Sequence, residues 1–323
     1  MLRRDFLTLV GAAAAIRPFG ARAQQPMIPV VGFFRSSPAK PFTHIVAAFR
    51  QGLSETGFVE GQNVTIEERW ADNRLDQLPA LATDLVRRQP AVIVGNAPAV
   101  DAARSATAKI PLVFVIGGDP VALGLVTSLN RPGGNLTGLT FFGNKLGAKR
   151  VEMLHELIPG TSVVAVLVDP TFPEAVAELG EVEDAAHTIG QKIVPVNASN
   201  ESEIDAAFAS FAQAGAGALV VTGSPFFTSK NQMLVGLSAR YAIPAIYDLR
   251  VAVGGLISYS ASFTDAYRQG GVYAGRILKG AKPSELPVLQ PTTFELAINR
   301  KTARILCINV PQSLIARADE LIE

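Results

Sequence analysis

The chain has 323 residues, 48% of them hydrophobic and 18% charged, with 29 basic side chains against 28 acidic ones. That balance excludes the clustered lysines and arginines that a nucleic-acid backbone requires. The single cysteine, Cys307, excludes an intramolecular disulfide, and in a Leu-Cys-Ile run it reads as a small core hydrophobe.

In chain order, Arg3 and Arg4 precede an apolar stretch over residues 9–16, followed by Ala21-Arg22-Ala23. A stretch this short cannot cross a bilayer, for which a helix needs roughly 20 apolar residues. With small residues at the two positions a signal peptidase reads, residues 1–23 are expected to be a cleaved export signal. The paired arginines give it a twin-arginine character. Its removal leaves 25 basic against 27 acidic groups. With no cysteine at the cleavage site, no lipid anchor is expected, and the product should be periplasmic. Its 300 residues exceed what one core usually supports, so two domains are expected.

Short apolar runs then alternate with amphipathic ones. Strands are expected at residues 28–34, 64–70, 91–95 and 112–116, with helices at 42–55, 75–88 and 99–108 between them. This order predicts a parallel sheet with right-handed crossovers. The turn cluster at 130–135 and the apolar run 136–142 mark a first crossing into a second series. Its expected strands are 163–168, 192–196, 218–222, 245–247 and 256–259; its helices are 145–157, 174–189, 201–214 and 229–241. A long helix at 264–279, a strand at 294–298 and a final helix at 313–321 are expected to return to the first half.

The expected fold class is therefore α/β, with two doubly wound parallel-sheet lobes joined by hinge strands. One lobe takes residues 24–138 plus 260–323 and the other 139–259, with the hinge near 136–142 and 256–262.

Ligands of open parallel sheets lie beyond the carboxyl ends of the strands. That rule selects Arg35, Ser36 and Ser37; Asn96 and Ala97; Gly118 and Asp119; Asp169; Ser224, Pro225 and Phe226; and Asp248. Ser, Asn and Asp also cap helices, so each has two readings: ligand contact or local brace. A ligand carboxylate would suit the ends at Ser36, Asn96 or Ser224, and Asp119, Asp169 or Asp248 would suit an ammonium group. Phe141, Phe226, Phe227, Tyr247 and Tyr259 would hold an apolar ligand body or belong to the core.

The chain lacks a Gly-x-Ser-x-Gly elbow, a P-loop and a dinucleotide fingerprint, and its three histidines have no second ligand at metal spacing. Neither catalysis nor a cofactor or metal is expected.

Two stretches carry a resemblance: Asp119 to Leu129 running into Arg131-Pro132-Gly133-Gly134-Asn135-Leu136-Thr137-Gly138, and Arg276 to Pro283 followed by Leu286 to Asn299. Together they resemble the ABC-transporter substrate-binding family that includes tryptophan- and tyrosine-type binding proteins. The resemblance implies the type I periplasmic binding architecture. It also implies a monomer delivering an aromatic or carboxylate-bearing small molecule, an amino acid or aromatic acid, to a membrane permease and its ATPase. Arg35 and Asn96 depart from the smaller, more neutral residues expected there, which keeps an aromatic or keto acid open beside an amino acid. A free-standing sensory module for a membrane kinase is the alternative.

Overall fold

The computed structural model describes residues 28–248, 254–290 and 292–323. The expected export signal at residues 1–23 lies outside the described residues. The first series consists of β1 (Val30–Arg35), α1 (Thr43–Glu55), β2 (Thr65–Trp70), α2 (Leu78–Arg87), β3 (Val92–Gly95), α3 (Ala97–Ala106), β4 (Leu112–Ile116) and β5 (Leu136–Thr140). Its five strands form one wholly parallel sheet in the order β2-β1-β3-β4-β5. Strands β1, β3 and β4 are buried almost end to end, as central strands covered on both faces must be.

The second series runs α4 (Gly147–Leu157), β6 (Val163–Val168), α5 (Pro173–Thr188), β7 (Lys192–Asn197), α6 (Glu201–Gln213), β8 (Ala218–Val221), α7 (Pro225–Ser229), α8 (Asn231–Arg240), β9 (Ala245–Tyr247) and β10 (Ile257–Ala261). The helix expected over 229–241 is α8, and α7 is a further short helix just before it, the two meeting at Lys230. After it come α9 (Phe263–Leu278), β11 (Phe294–Asn299), α10 (Arg300–Ile305), α11 (Gln312–Arg317) and β12 (Glu320–Ile322).

Only part of this tail returns to the first lobe. Helix α9 does, because glycines let it touch α1 backbone to backbone. A methyl group placed on Gly52 would stand 1.8 Å from the Arg268 carbonyl oxygen, and one on Gly271 would stand 2.1 Å from that of Phe49. Residues 286–289 follow α9, and Leu289 bridges to the edge of β5.

Strands β11 and β12 correct the expected boundary, since they extend the second sheet to β12-β11-β10-β9-β8-β6-β7. Strand β11 is also antiparallel to β10, with Phe294 opposite Ala261. The cause is topological: the chain leaves the second sheet at the end of β10 and re-enters beside that same end, so it must run backwards. The final helix expected over 313–321 stops at Arg317. Asp319 then holds β12 in the sheet, its backbone N–H donating to the Leu296 carbonyl and its carboxylate accepting from the Leu296 N–H.

The chain therefore passes between the lobes three times: at 141–142, at residue 262, and between Leu289 in the first lobe and Phe294 in the second. At the first, Phe142 has φ +42°, a left-handed value uncommon for a residue with a β-carbon. Each lobe has its own apolar core, built around Phe33, Phe49 and Tyr267 in the first lobe and on both faces of the sheet in the second.

Candidate ligand-binding site

Strand β1 delivers Arg35 to the gap between the lobes with 1% of its surface exposed. Its Nε donates to Ser37 Oγ at 3.2 Å and its Nη1 donates to the Tyr267 hydroxyl. The guanidinium lies 4.4 Å from the Phe42 ring centre, 5.1 Å from Tyr267 and 5.9 Å from Phe263. Among the described residues no acid forms an ion pair with it. Burial pulls its pKa down to about 9, so at neutral pH it remains a cation without a countercharge.

Ser36 and Asn96 tie the ends of β1 and β3 together. The Ser36 N–H donates to Asn96 Oδ1 at 3.1 Å, and Asn96 Nδ2 donates to Ser36 Oγ at 2.8 Å. Asn96 precedes α3 in extended conformation but makes no capping bond with its side chain. Its polarity is spent on holding the cleft wall.

The second lobe supplies the acids. Glu174 and Glu178 lie one turn apart at the start of α5, and the latter forms an ion pair with Arg150 of α4, both side chains being at most 2% exposed. Arg150 Nε also donates to the Tyr259 carbonyl, and Glu178 Oε2 accepts the Gly223 N–H at 2.8 Å. Burial raises the carboxyl of Glu178, and it raises that of Asp248 to about 7. Glu174 is 6% exposed, its Oε1 has no hydrogen-bond partner, and burial raises its carboxyl to about 7, with the charge of Asp101 adding to the effect.

These side chains surround a cavity of about 60 Å³ walled by both lobes. Phe42, Phe141, Phe172 and Phe263 give it an aromatic lining, and Phe141 meets Phe263 edge-on at 5.4 Å. The lobes touch across it. Asn73 Nδ2 donates to Ser229 Oγ at 2.9 Å, and Gly118 faces Glu174 so closely that an added methyl group would lie 2.8 Å from Glu174 Cγ.

Of the residues selected from the sequence, Arg35, Asn96, Ala97, Phe141, Ser224, Pro225 and Asp248 line this cavity. Ser36, Asp169 and Phe226 line a neighbouring hollow of about 390 Å³, which also takes in Asn73 and shares Phe172 and Pro225. Ser37 acts from behind, on Arg35, and Gly118 acts by leaving room for Glu174.

For five residues the structure favours the second of their two readings, local brace or core, over contact with a ligand. Asp119 caps its own loop, its Oδ1 accepting from the N–H groups of Val121 and Ala122. Asp169 braces its turn by accepting from Thr171, so of the three aspartates only Asp248 lines the inner cavity. Tyr259 stacks on Phe294 at 6.1 Å because β11 pairs with β10, and only its carbonyl reaches the site. Phe227 and Tyr247 are core residues, the latter bonded to Ser238.

Sequence reasoning missed Glu174, Glu178, Arg150, Phe42, Phe172 and Phe263. The acids left a signal: Glu178 falls in register with Val182 and Ala186 on the buried stripe of α5, where an amphipathic helix has no reason to carry a carboxylate.

Two α/β lobes joined by three crossings and closed over a cavity lined from both sides define a ligand-clamping binding protein. The ABC transporter substrate binding protein family model matches residues 35–322, and the chain belongs to that family, whose members are binding proteins rather than enzymes. A tyrosine-binding protein of Clostridioides difficile is 24% identical over 261 residues, covering 80% of this chain and 75% of that protein. A conserved domain protein from Vibrio cholerae superposes with a TM-score of 0.84 at 25% identity, covering 91% of this chain and 99% of the other. An ABC domain from Streptococcus pneumoniae in complex with L-Trp gives 0.84 at 24% identity with the same coverage.

Proposed function

We propose that this protein is the receptor of an ABC importer, capturing a small aromatic molecule that bears a carboxylate and handing it to a membrane permease driven by an ATPase. The observation that carries this reading is Arg35, a cation buried without an acid inside an aromatic cage. A buried charge is costly unless it is paired, and a ligand carboxylate supplies the missing partner. The rings of Phe42, Phe141, Phe172 and Phe263 suit a flat apolar body. The names of the relatives, a tyrosine-binding protein and a domain holding L-Trp, support the same class.

In this reading the protein works as a monomer in the periplasm, released from the leader formed by residues 1–23. No helix of the described residues is long and apolar enough to cross a membrane. Calorimetric titration against L-tyrosine, L-tryptophan, aromatic acids and a set of sugars tests the proposal. Binding confined to the carboxylates, with a rise in melting temperature, is expected. Sugar binding without carboxylate binding would overturn it.

A further inference from the structure

Resting on the reading of the cleft as a site for an aromatic carboxylate, we infer that Glu174 is the residue that decides which member of that class is taken: it selects ligands carrying an ammonium group over their deaminated counterparts. Among the described residues that line the cavity, Glu174 carries an enclosed carboxyl oxygen without a hydrogen-bond partner. Glu178 is engaged by Arg150 and by the Gly223 N–H, whereas Glu174 Oε1 is enclosed with no donor at all.

An enclosed acceptor without a partner costs free energy that a ligand donor recovers. Lobe closure creates this condition, because Gly118 of the first lobe seals one side of Glu174. An amino acid lying across the cavity would give its carboxylate to Arg35 on one lobe and its ammonium group to Glu174 on the other. Both charges would then be satisfied only when the lobes are shut. A deaminated acid satisfies Arg35 and leaves Glu174 as it was.

The charged groups around Glu174 fix the proton balance. Asp101 on α3 raises its carboxyl, Glu178 one turn along α5 is held by Arg150, Asp248 sits beyond that pair, and Arg35 lies in the opposite wall. With the Glu174 carboxyl near 7 in the shut cleft, a sizeable fraction of molecules takes up a proton at neutral pH when the lobes close without a donor beside it. A ligand ammonium group favours the carboxylate, so closure on an amino acid avoids the proton uptake that closure on a deaminated acid brings.

The test is calorimetry on the full chain with L-tyrosine and L-tryptophan, each paired with its deaminated acid, 3-(4-hydroxyphenyl)propionate or indole-3-propionate. Titrations are repeated at pH 7 in two buffers of different ionisation enthalpy. The wild type is expected to prefer the amino acids by on the order of 30-fold and to take up a fraction of a proton on binding the deaminated acids alone. Glu174→Gln keeps the shape of the side chain and is expected to lose both the preference and the proton uptake while still binding the deaminated acids. The proton count needs only the wild type, so it stands even if that variant folds poorly. Equal affinity for both members of a pair without proton exchange would overturn the role of Glu174 and leave the receptor reading intact. Binding of neither member would overturn the receptor reading and this inference with it.

Discussion

Replacing Arg35 by methionine separates what this residue does for the ligand from what it does for the fold. The side chain is 1% exposed, and among the described residues no acid forms an ion pair with it. The fall of its pKa to about 9 corresponds, at 1.36 kcal/mol per pH unit, to an order of 5 kcal/mol spent on holding the bare cation in the empty cleft. Its compensations are a charged hydrogen bond to Tyr267, worth about 1.5–3 kcal/mol, and stacking on Phe42, worth about 1–2 kcal/mol. Methionine keeps most of the volume and removes both the cost and the compensations, a net change of about 0–2.5 kcal/mol in favour of the closed, empty form.

Carboxylate binding should weaken by about 30-fold or more, because a desolvated charge pair is lost. Denaturant unfolding of the ligand-free variant should give an unchanged or higher midpoint, and calorimetry should give the loss of affinity. A variant destabilised by several kcal/mol that still bound carboxylates with wild-type affinity would refute the assignment of Arg35 as an unpaired anion receptor.

Gly118→Ala should leave the empty protein's melting temperature unchanged yet weaken ligand binding by about 1–3 kcal/mol in titration, since the new methyl group meets Glu174 only when the lobes are shut. Asn73→Ala removes one bond across the rim and should cost about 1 kcal/mol of affinity without changing ligand preference. Glu178→Gln strands Arg150, a partner 1% exposed, and should lower unfolding stability by about 3–5 kcal/mol.

The protein saturated with a deaminated acid, and so held shut, should also be more stable at pH 5 than at pH 8. Glu174 and Asp248 have folded pKa values near 7, above their unfolded values. Their contribution is complete below about pH 4 and lost as pH rises through 7. Urea melts across this range should show the decline, and Glu174→Gln should flatten it.

The lobes were legible because buried parallel strands are short apolar runs bounded by turn residues, and runs such as Leu112-Val113-Phe114-Val115-Ile116 admit little else. Strand ends followed, which is how Arg35, Asn96, Ser224 and Asp248 came to be selected. What the strand-end rule could not give was anything carried by helices. Glu174, Glu178 and Arg150 sit on α5 and α4; apart from the carboxylate on the buried stripe of α5, it is tertiary placement and not local pattern that brings them to the cleft.

The tail was misassigned for a related reason. Phe294–Asn299 has the alternation of a strand, but alternation does not say which of two sheets it joins. The cap role of Asp119 and the cavity-lining place of Asp248 are likewise indistinguishable in sequence, since a strand-end aspartate has the same neighbours in either case. Only the burial of Asp248, against the free N–H groups waiting beside Asp119, separates them.

Small-angle X-ray scattering of the purified protein, titrated with the ligand that calorimetry identifies, tests the clamp itself. The account predicts that saturation lowers the radius of gyration and brings the scattering curve onto that of the closed arrangement, in which Asn73 meets Ser229 and Gly118 meets Glu174. A curve that stays the same at saturation, and fits two lobes held apart throughout, would contradict it.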